Sequence, residues 1–280
     1  MKNDQEIKKV VREKYGAIAK SAGKLASSCC SISSCCQGPS TAENISSRIG
    51  YTSEDMGSVP VGANLGLGCG NPVALASLKE GETVIDLGSG AGFDCFLASA
   101  KVGEKGRVIG IDMTADMLEK ARSNAAAGGY TNVEFRLGEI EHLPVADATG
   151  DIIISNCVIN LSTDKPQVFR EAFRTLKPGG RLMVSDIVLQ EELPPVVRDS
   201  IDAYAGCVAG AMIKGDYIKA VEQAGFTDIK IMDETSFPFD LIVSDPIVKE
   251  AAATLNLDKI ELERLNSTVK SIKLYAMKPL

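Results

Sequence analysis

Three cysteines of this chain stand singly in glycine-rich or strand-end contexts. Cys69 lies in Gly66-Leu67-Gly68-Cys69-Gly70, Cys157 in Ser155-Asn156-Cys157-Val158-Ile159-Asn160, and Cys207 in Gly206-Cys207. Between the first two runs a nucleotide-type turn, Asp86-Leu87-Gly88-Ser89-Gly90-Ala91-Gly92. Thiolates are soft donors and select soft acceptors. Separated thiols around a cofactor turn therefore point to a thiophilic atom rather than a sugar, a peptide or a nucleic acid. Any one of them alone reads as well as a small buried hydrophobe.

The turn narrows the cofactor. Glycines at 88, 90 and 92 let the backbone approach a ligand closely, and the helix start that follows adds positive potential. A dinucleotide fingerprint wants a small residue at the next position, which Phe93 occupies. Asp112, at the end of the following strand, is placed to take a ribose hydroxyl pair, and Asp86 suits a ligand carrying an ammonium group. An acid on each side without a pyrophosphate cradle describes S-adenosylmethionine better than NAD. On spacing alone, a generic Rossmann-like turn with another ligand stays open. A trivalent arsenic centre held by three thiolates would keep a lone pair able to attack a sulfonium methyl in line. The attacking atom loses no proton, in keeping with a chain whose one histidine is His142.

The formal net charge is −7 and no Lys/Arg-rich run interrupts it, which argues against a nucleic-acid or anionic-membrane partner. With no signal-peptide core and no membrane-length apolar run, the expected location is cytoplasmic. In a reducing compartment eight cysteines favour metal, metalloid or redox chemistry over a disulfide framework.

The elements that must position these groups are legible from residue 82 onward. The pattern predicts strands over Thr83–Leu87, Arg107–Asp112, Val133–Leu137, Asp151–Asn156 and Arg181–Asp186. Helices alternate with them over Phe93–Val102, Thr114–Ala127 and Pro166–Leu176. Such alternation gives a parallel sheet covered on both faces. Helices over Pro195–Cys207 and Tyr217–Ala224, strands over Asp228–Met232 and Lys270–Met277, and a helix near Pro246–Leu255 are expected to follow. At the front, Asp4–Lys20 reads as an amphipathic helix with Ile7, Val10, Val11, Tyr15 and Ile18 on one face. The loop Ser27–Ser40, holding Cys29-Cys30 and Cys35-Cys36, comes next. The expected division is residues 1–60 for the helix and Cys-rich loop, 61–190 for the cofactor domain, and 191–280 for a lid and the segment completing the sheet. Asn71-Pro72 reads as a helix start, which would lower the pKa of Cys69 and favour its thiolate. Cys95 reads as core packing and His142 as a surface loop residue.

The turn Asp86–Gly92, the run Gly110-Ile111-Asp112-Met113-Thr114 and Leu176-Lys177-Pro178-Gly179-Gly180 resemble the motifs of class I S-adenosylmethionine-dependent methyltransferases. That resemblance implies a Rossmann-like α/β fold with a seven-stranded, mostly parallel sheet. It also implies cofactor contacts from Asp86, Gly88, Gly90, Gly92, Asp112 and Met113. Ile140 and Glu141 would flank the adenine, and Asn156 would lie beside the methionine part.

Gly68-Cys69-Gly70, Val108–Thr114, Ser155–Leu161 and Gly206-Cys207 narrow this to a similarity with the arsenite methyltransferase family, over roughly residues 10–235. The similarity implies that Cys69, Cys157 and Cys207 bind As(III) as substrate, arsenite or its thiol conjugate. A fourth cysteine of the N-terminal loop, Cys35 or Cys36 with Cys36 the candidate, would join a disulfide relay reset by thioredoxin, glutathione or a similar thiol reductant. The paired loop cysteines read equally as a metal or second arsenic site, or as inert. The alternative acceptor for the same enzyme class is a small carbon nucleophile such as a quinone precursor. A non-enzymatic metalloid- or zinc-binding protein built on Cys29, Cys30, Cys35 and Cys36 is the remaining reading.

Overall fold

The computed structural model describes residues 4–21, 41–236, 264 and 267–280. The helix expected near Pro246–Leu255 and the cysteines at 29, 30, 35 and 36 lie outside the described residues.

Seven strands form one sheet: β1 Thr83–Leu87, β2 Arg107–Asp112, β3 Val133–Leu137, β4 Gly150–Asn156, β5 Leu176–Leu189, β6 Thr227–Ser236 and β7 Val269–Met277. Their order is β3-β2-β1-β4-β5-β7-β6. The first five are parallel, while β7 runs antiparallel between β5 and β6. Chain order reverses at the adjacent pair β1 and β4, so the crevice beyond their carboxyl ends is where this architecture takes ligands.

Strand sequences explain this burial. In β4, Ile152, Ile153 and Ile154 are all fully buried, as a strand covered on both faces requires. Ile153 packs with Ile85, Phe169 and Tyr217 on one face, and Ile152 and Ile154 with Phe96 and Val108 on the other. Between β strands lie α5 Phe93–Val102, α6 Ala115–Gly128 and α7 Lys165–Thr175; α10 Lys214–Gln223 precedes β6. Phe169 meets Tyr217 edge-on, with ring centroids 5.2 Å apart. Truncation to Phe169→Ala is expected to lower the unfolding free energy by about 3–5 kcal/mol, measured by urea titration.

Several boundaries differ from the sequence expectation; α10 starts at Lys214 rather than Tyr217, and β6 runs on to Ser236 rather than ending at Met232. β5 begins at Leu176 rather than Arg181, because Gly150 pairs with Leu176 before the register jumps to Ile152 and Arg181. Its far end reaches Leu189, since β7 pairs along it to Val269. The stretch expected as one helix over Pro195–Cys207 is two short ones, α8 Pro195–Arg198 and α9 Ile201–Ala205. Ser200 divides them, its hydroxyl accepting the N–H of Ala203 as an N-cap.

Ahead of the sheet come α1 Asp4–Ser21, α2 Thr41–Arg48, α3 Ser53–Gly57 and α4 Pro72–Leu75. Among the described residues no helix is long and apolar enough to cross a membrane.

Candidate functional site

The turn after β1 is tied down by its own backbone. Gly88 and Ser89 N–H both donate to the Ile111 carbonyl at 2.8 and 2.9 Å, and Gly92 N–H to Ser89 at 2.9 Å. Gly90 N–H donates to Asp112 Oδ2 at 2.9 Å. With these groups committed, the turn does not offer them as a pyrophosphate cradle. Gly90, at φ +51, has open space where a side chain would begin, whereas a Cβ on Gly88 would strike Val158 at 2.4 Å.

Above the turn opens a cavity holding about 1080 Å³ of unfilled space, its mouth included. Asp86, Gly88, Gly90, Asp112, Met113, Ile140, Glu141 and Asn156 all line it. Gly92 does not. Its φ of +95 and the Phe96 ring, 2.7 Å from where a Cβ would sit, assign it to packing at the start of α5. Asp112 is held with Oδ1 accepting Thr114 N–H at 2.8 Å and Oδ2 accepting Gly90, leaving lone pairs for a diol. Asp86 is buried, and that burial together with the Asp94 carboxylate pushes its pKa well up. A ligand ammonium would supply the missing counter-charge. A fixed carboxylate, a buried carboxylate and the apolar Met113 and Ile140 together fit a diol, an ammonium and a flat ring, the groups of S-adenosylmethionine.

Several cavity residues carry no sign of that role in the sequence. Lys8, Val11 and Tyr15 of α1 form part of the wall. Lys8 bridges to Glu139 at 2.7 Å and Glu141 at 3.1 Å, and Tyr15 donates to the Ala205 carbonyl at 3.2 Å. Lys14 pairs with Asp202 of α9. The amphipathic pattern of α1 announces a buried face, but not what that face covers.

The three single thiols come together at the carboxyl end of the sheet, in an apolar cluster with Val11, Leu161, Ile187 and Val197. Cys157 also lines the cavity, so the thiols adjoin the cofactor crevice through it. Asn156 sets the spacing of the first two. Its Oδ1 accepts Cys69 N–H at 3.0 Å, and its Nδ2 donates to Gly70 O at 2.8 Å, Tyr51 Oη at 2.9 Å and Asp94 at 3.0 Å. Cys157 N–H donates to Ser185 O at 2.8 Å, and Cys69 Sγ lies 3.5 Å from that same oxygen. Cys207 Sγ donates to Cys157 O at 2.8 Å. Cys157 and Cys207 sit at φ +59 and +64, a left-handed conformation uncommon outside glycine that clusters at functional sites.

Burial reverses the expectation of a thiolate at Cys69. The helix after it has only four residues, Pro72–Leu75, and desolvation pushes the thiol pKa up. At Cys157 a hydrogen bond from Cys207 works downward, but its bond with Cys69 and burial outweigh that, leaving it well above the usual range. Cys69 and Cys157 therefore rest as neutral thiols.

Asp186 lies beside them, fully buried. Its Oδ1 accepts from Asn160 and Ile187 N–H, both at 2.9 Å, and its Oδ2 from Tyr217 at 3.1 Å. Nothing in the motif pattern singles it out. Burial raises Asp94 to about 6 and Asp186 to about 7, from an ordinary 3.8. The folded chain then keeps protons that the unfolded chain releases, so this contribution to stability is full below the unfolded value and is lost as pH rises through the folded ones. The unfolding free energy is expected to fall from about pH 4 to about pH 6 through Asp94 and to about pH 7 through Asp186, on the order of 1 kcal/mol per pH unit for each. Urea titrations across that range would show the slope, flattened in Asp186→Asn.

Of the remaining candidates, Cys36 lies outside the described residues. Cys95 is fully buried in the core and donates to Asp86 at 3.1 Å, and His142 is exposed.

A family profile described as a methyltransferase domain matches residues 78–225. Arsenite methyltransferase of Halobacterium salinarum is 47% identical over 234 residues, covering 82% of this chain and 60% of its own length. The human arsenite methyltransferase is 40% identical over 168 residues, 57% of this chain and 44% of the relative. The chain thus spans about 60% or less of the length of these curated relatives. A solved arsenic(III) S-adenosylmethionine methyltransferase from Chlamydomonas reinhardtii superposes with a TM-score of 0.62 at 31% identity, covering 87% of this chain and 75% of that one. By that coverage and identity, the chain belongs to the arsenite S-adenosylmethionine methyltransferase family.

Proposed function

We propose that this chain methylates trivalent arsenic, held by Cys69, Cys157 and Cys207, with S-adenosylmethionine as donor. The observation that carries the reading is the position of Cys157. Of the three thiols it is the one that also lines the cofactor cavity.

The neutral state of the Cys69 and Cys157 thiols suits the substrate. Arsenous acid condensing with three thiols releases three waters and leaves no net charge in an apolar pocket, so no buried thiolate has to be stabilised beforehand. Delivered instead as a thiol conjugate, arsenic would exchange its carrier thiols for Cys69, Cys157 and Cys207. In either form it keeps a lone pair, and no proton must leave the attacking atom.

S-adenosylmethionine, when bound, would supply a sulfonium methyl to the arsenic lone pair, with S-adenosylhomocysteine as the departing thioether. Two cysteine thiols closing to a disulfide would return the formally pentavalent arsenic to the trivalent state. The chain's work is orientation and exclusion of water. Asp112 would hold the ribose, Asp86 the ammonium, and Met113, Ile140 and Glu141 the adenine side. Asn156 positions the Cys69 and Cys157 backbones. The α1 wall closes the cavity from above, with Lys8 latched to Glu139 and Glu141. Cys36 would complete a relay disulfide during turnover, reset by thioredoxin, glutathione or a similar thiol.

The test is incubation of the reduced full chain with arsenite, methyl-labelled donor and a thiol, followed by arsenic speciation. Labelled methylarsenic is the expected product. Label appearing instead on an added quinone precursor, with arsenite untouched, would replace this reading with that of a carbon methyltransferase.

A further inference from the structure

Three sulfurs satisfy trivalent arsenic, yet the metal-ligating atoms that the described residues draw together are not the three thiols. Cys69 Sγ, Cys157 Sγ and a carboxylate oxygen of Asp186 all lie within 4.8 Å of one another, each on a buried residue. Cys207 stands outside this set, its Sγ turned to the Cys157 carbonyl at 2.8 Å. Arsenic bound through three thiolates makes no use of the carboxylate. We propose that Cys69, Cys157 and Asp186 also form a binding site for a divalent cation of the zinc and cadmium class, which excludes arsenite by occupying two of its thiols.

The donor set fits that class. Zinc takes thiolate and carboxylate together in tetrahedral geometry, with Zn–S about 2.3 Å and Zn–O about 2.0–2.2 Å. Neighbouring donors around such a centre sit about 3.5–3.8 Å apart, so the cluster needs only a modest contraction. Asp186 is prepared as a ligand. Asn160, Ile187 N–H and Tyr217 fix the carboxylate through three hydrogen bonds, two on Oδ1 and one on Oδ2. A lone pair on Oδ2 remains for a cation. Asn160 is itself pinned, donating also to Ile187 O at 2.7 Å. Second-sphere bonds of this kind orient metal-ligating groups.

Charge separates the two uses of the pocket. Two thiolates and one carboxylate carry −3, the cation +2, and the part-buried ammonium of Lys165, which donates to Ser162 O at 2.8 Å, lies in electrostatic reach of Asp186. These sum to zero. A third thiolate from Cys207 would leave an uncompensated buried charge. In the cation-bound state Cys207 therefore keeps its proton, the fourth position goes to a water from the adjoining cavity, and the protons of Cys69 and Cys157 leave to solvent. Arsenite needs Cys207 and not Asp186, whereas the cation needs Asp186 and not Cys207.

The experiment uses the reduced full chain with Cys29, Cys30, Cys35 and Cys36 replaced by serine, titrated anaerobically with Co²⁺. Cobalt reports thiolate ligation by a near-ultraviolet charge-transfer band and tetrahedral geometry by its visible bands. Arsenite binding is measured on the same proteins. One equivalent of Co²⁺ should bind and be displaced by Zn²⁺ and by arsenite. Asp186→Asn should weaken Co²⁺ by about 10- to 100-fold with arsenite affinity unchanged, and Cys207→Ser should do the reverse. Co²⁺ binding that is absent, indifferent to Asp186→Asn or lost in Cys207→Ser overturns the proposal. Should Asp186→Asn fail to fold, the Cys207→Ser arm decides alone. Co²⁺ binding without arsenite binding would leave this site standing while removing the arsenic reading, so the two fail separately.

Discussion

Cys157→Ser is expected to lower kcat/KM for arsenite by on the order of 100-fold or more, with donor affinity unchanged. Serine accepts the same left-handed backbone conformation at φ +59, and its N–H still reaches Ser185 O at 2.8 Å, so the fold should survive. What disappears is the one thiol shared by the cluster and the cavity wall. A hydroxyl is a hard donor that water replaces readily, and arsenic left on Cys69 and Cys207 would hang behind the wall rather than in it. The cavity end formed by Asp86, Gly90 and Asp112 is built independently of Cys157. Donor titration by calorimetry and initial rates with arsenite separate these effects. Equal losses in both would mean that Cys157 supports the cavity and not the acceptor.

Asn156→Ala is expected to destabilise the protein by about 2–4 kcal/mol and to cut activity by on the order of 100-fold. This one side chain accepts from Cys69 N–H and donates to Gly70 O, Tyr51 and Asp94. Its removal leaves a buried N–H and a buried carbonyl without that partner, and deprives the Asp94 carboxylate of a donor that favours its charged form. The Gly68–Gly70 segment then loses its tie to β4, and with it the spacing between Cys69 and Cys157. Urea denaturation and arsenite titration would check both halves. Asn156→Asp keeps the acceptor for Cys69 N–H but loses the donors, and it places a third carboxyl beside Asp94 and Asp86. It should therefore rescue little.

The strands were legible in the sequence because buried apolar runs such as Val84-Ile85 and Ile152-Ile153-Ile154 are bounded by glycine and charge. The turn residues and the three separated thiols were legible by type and spacing. Less legible was whatever depends on distant segments meeting. Asp186 lies on a strand whose neighbours the pattern predicts, but its partners Asn160 and Tyr217 arrive from elsewhere in the chain. The role of α1 as a cavity wall depends on its docking across α6 and α9. The thiolate expected at Cys69 failed for the same reason, since a local helix-start argument lost to desolvation by tertiary packing. Gly92 followed the motif by type, but its missing Cβ makes room for Phe96 rather than for a ligand.

Cys69, Cys157 and Cys207, and no other cysteines, are expected to hold the arsenic that faces the donor cavity. Arsenic X-ray absorption on the arsenite-bound full chain, with Cys29, Cys30, Cys35 and Cys36 replaced by serine, measures this directly. The expected nearest-neighbour shell is three sulfurs without oxygen, falling to two sulfurs in Cys157→Ser. An oxygen-dominated shell, or a sulfur count that Cys157→Ser leaves unchanged, would contradict it.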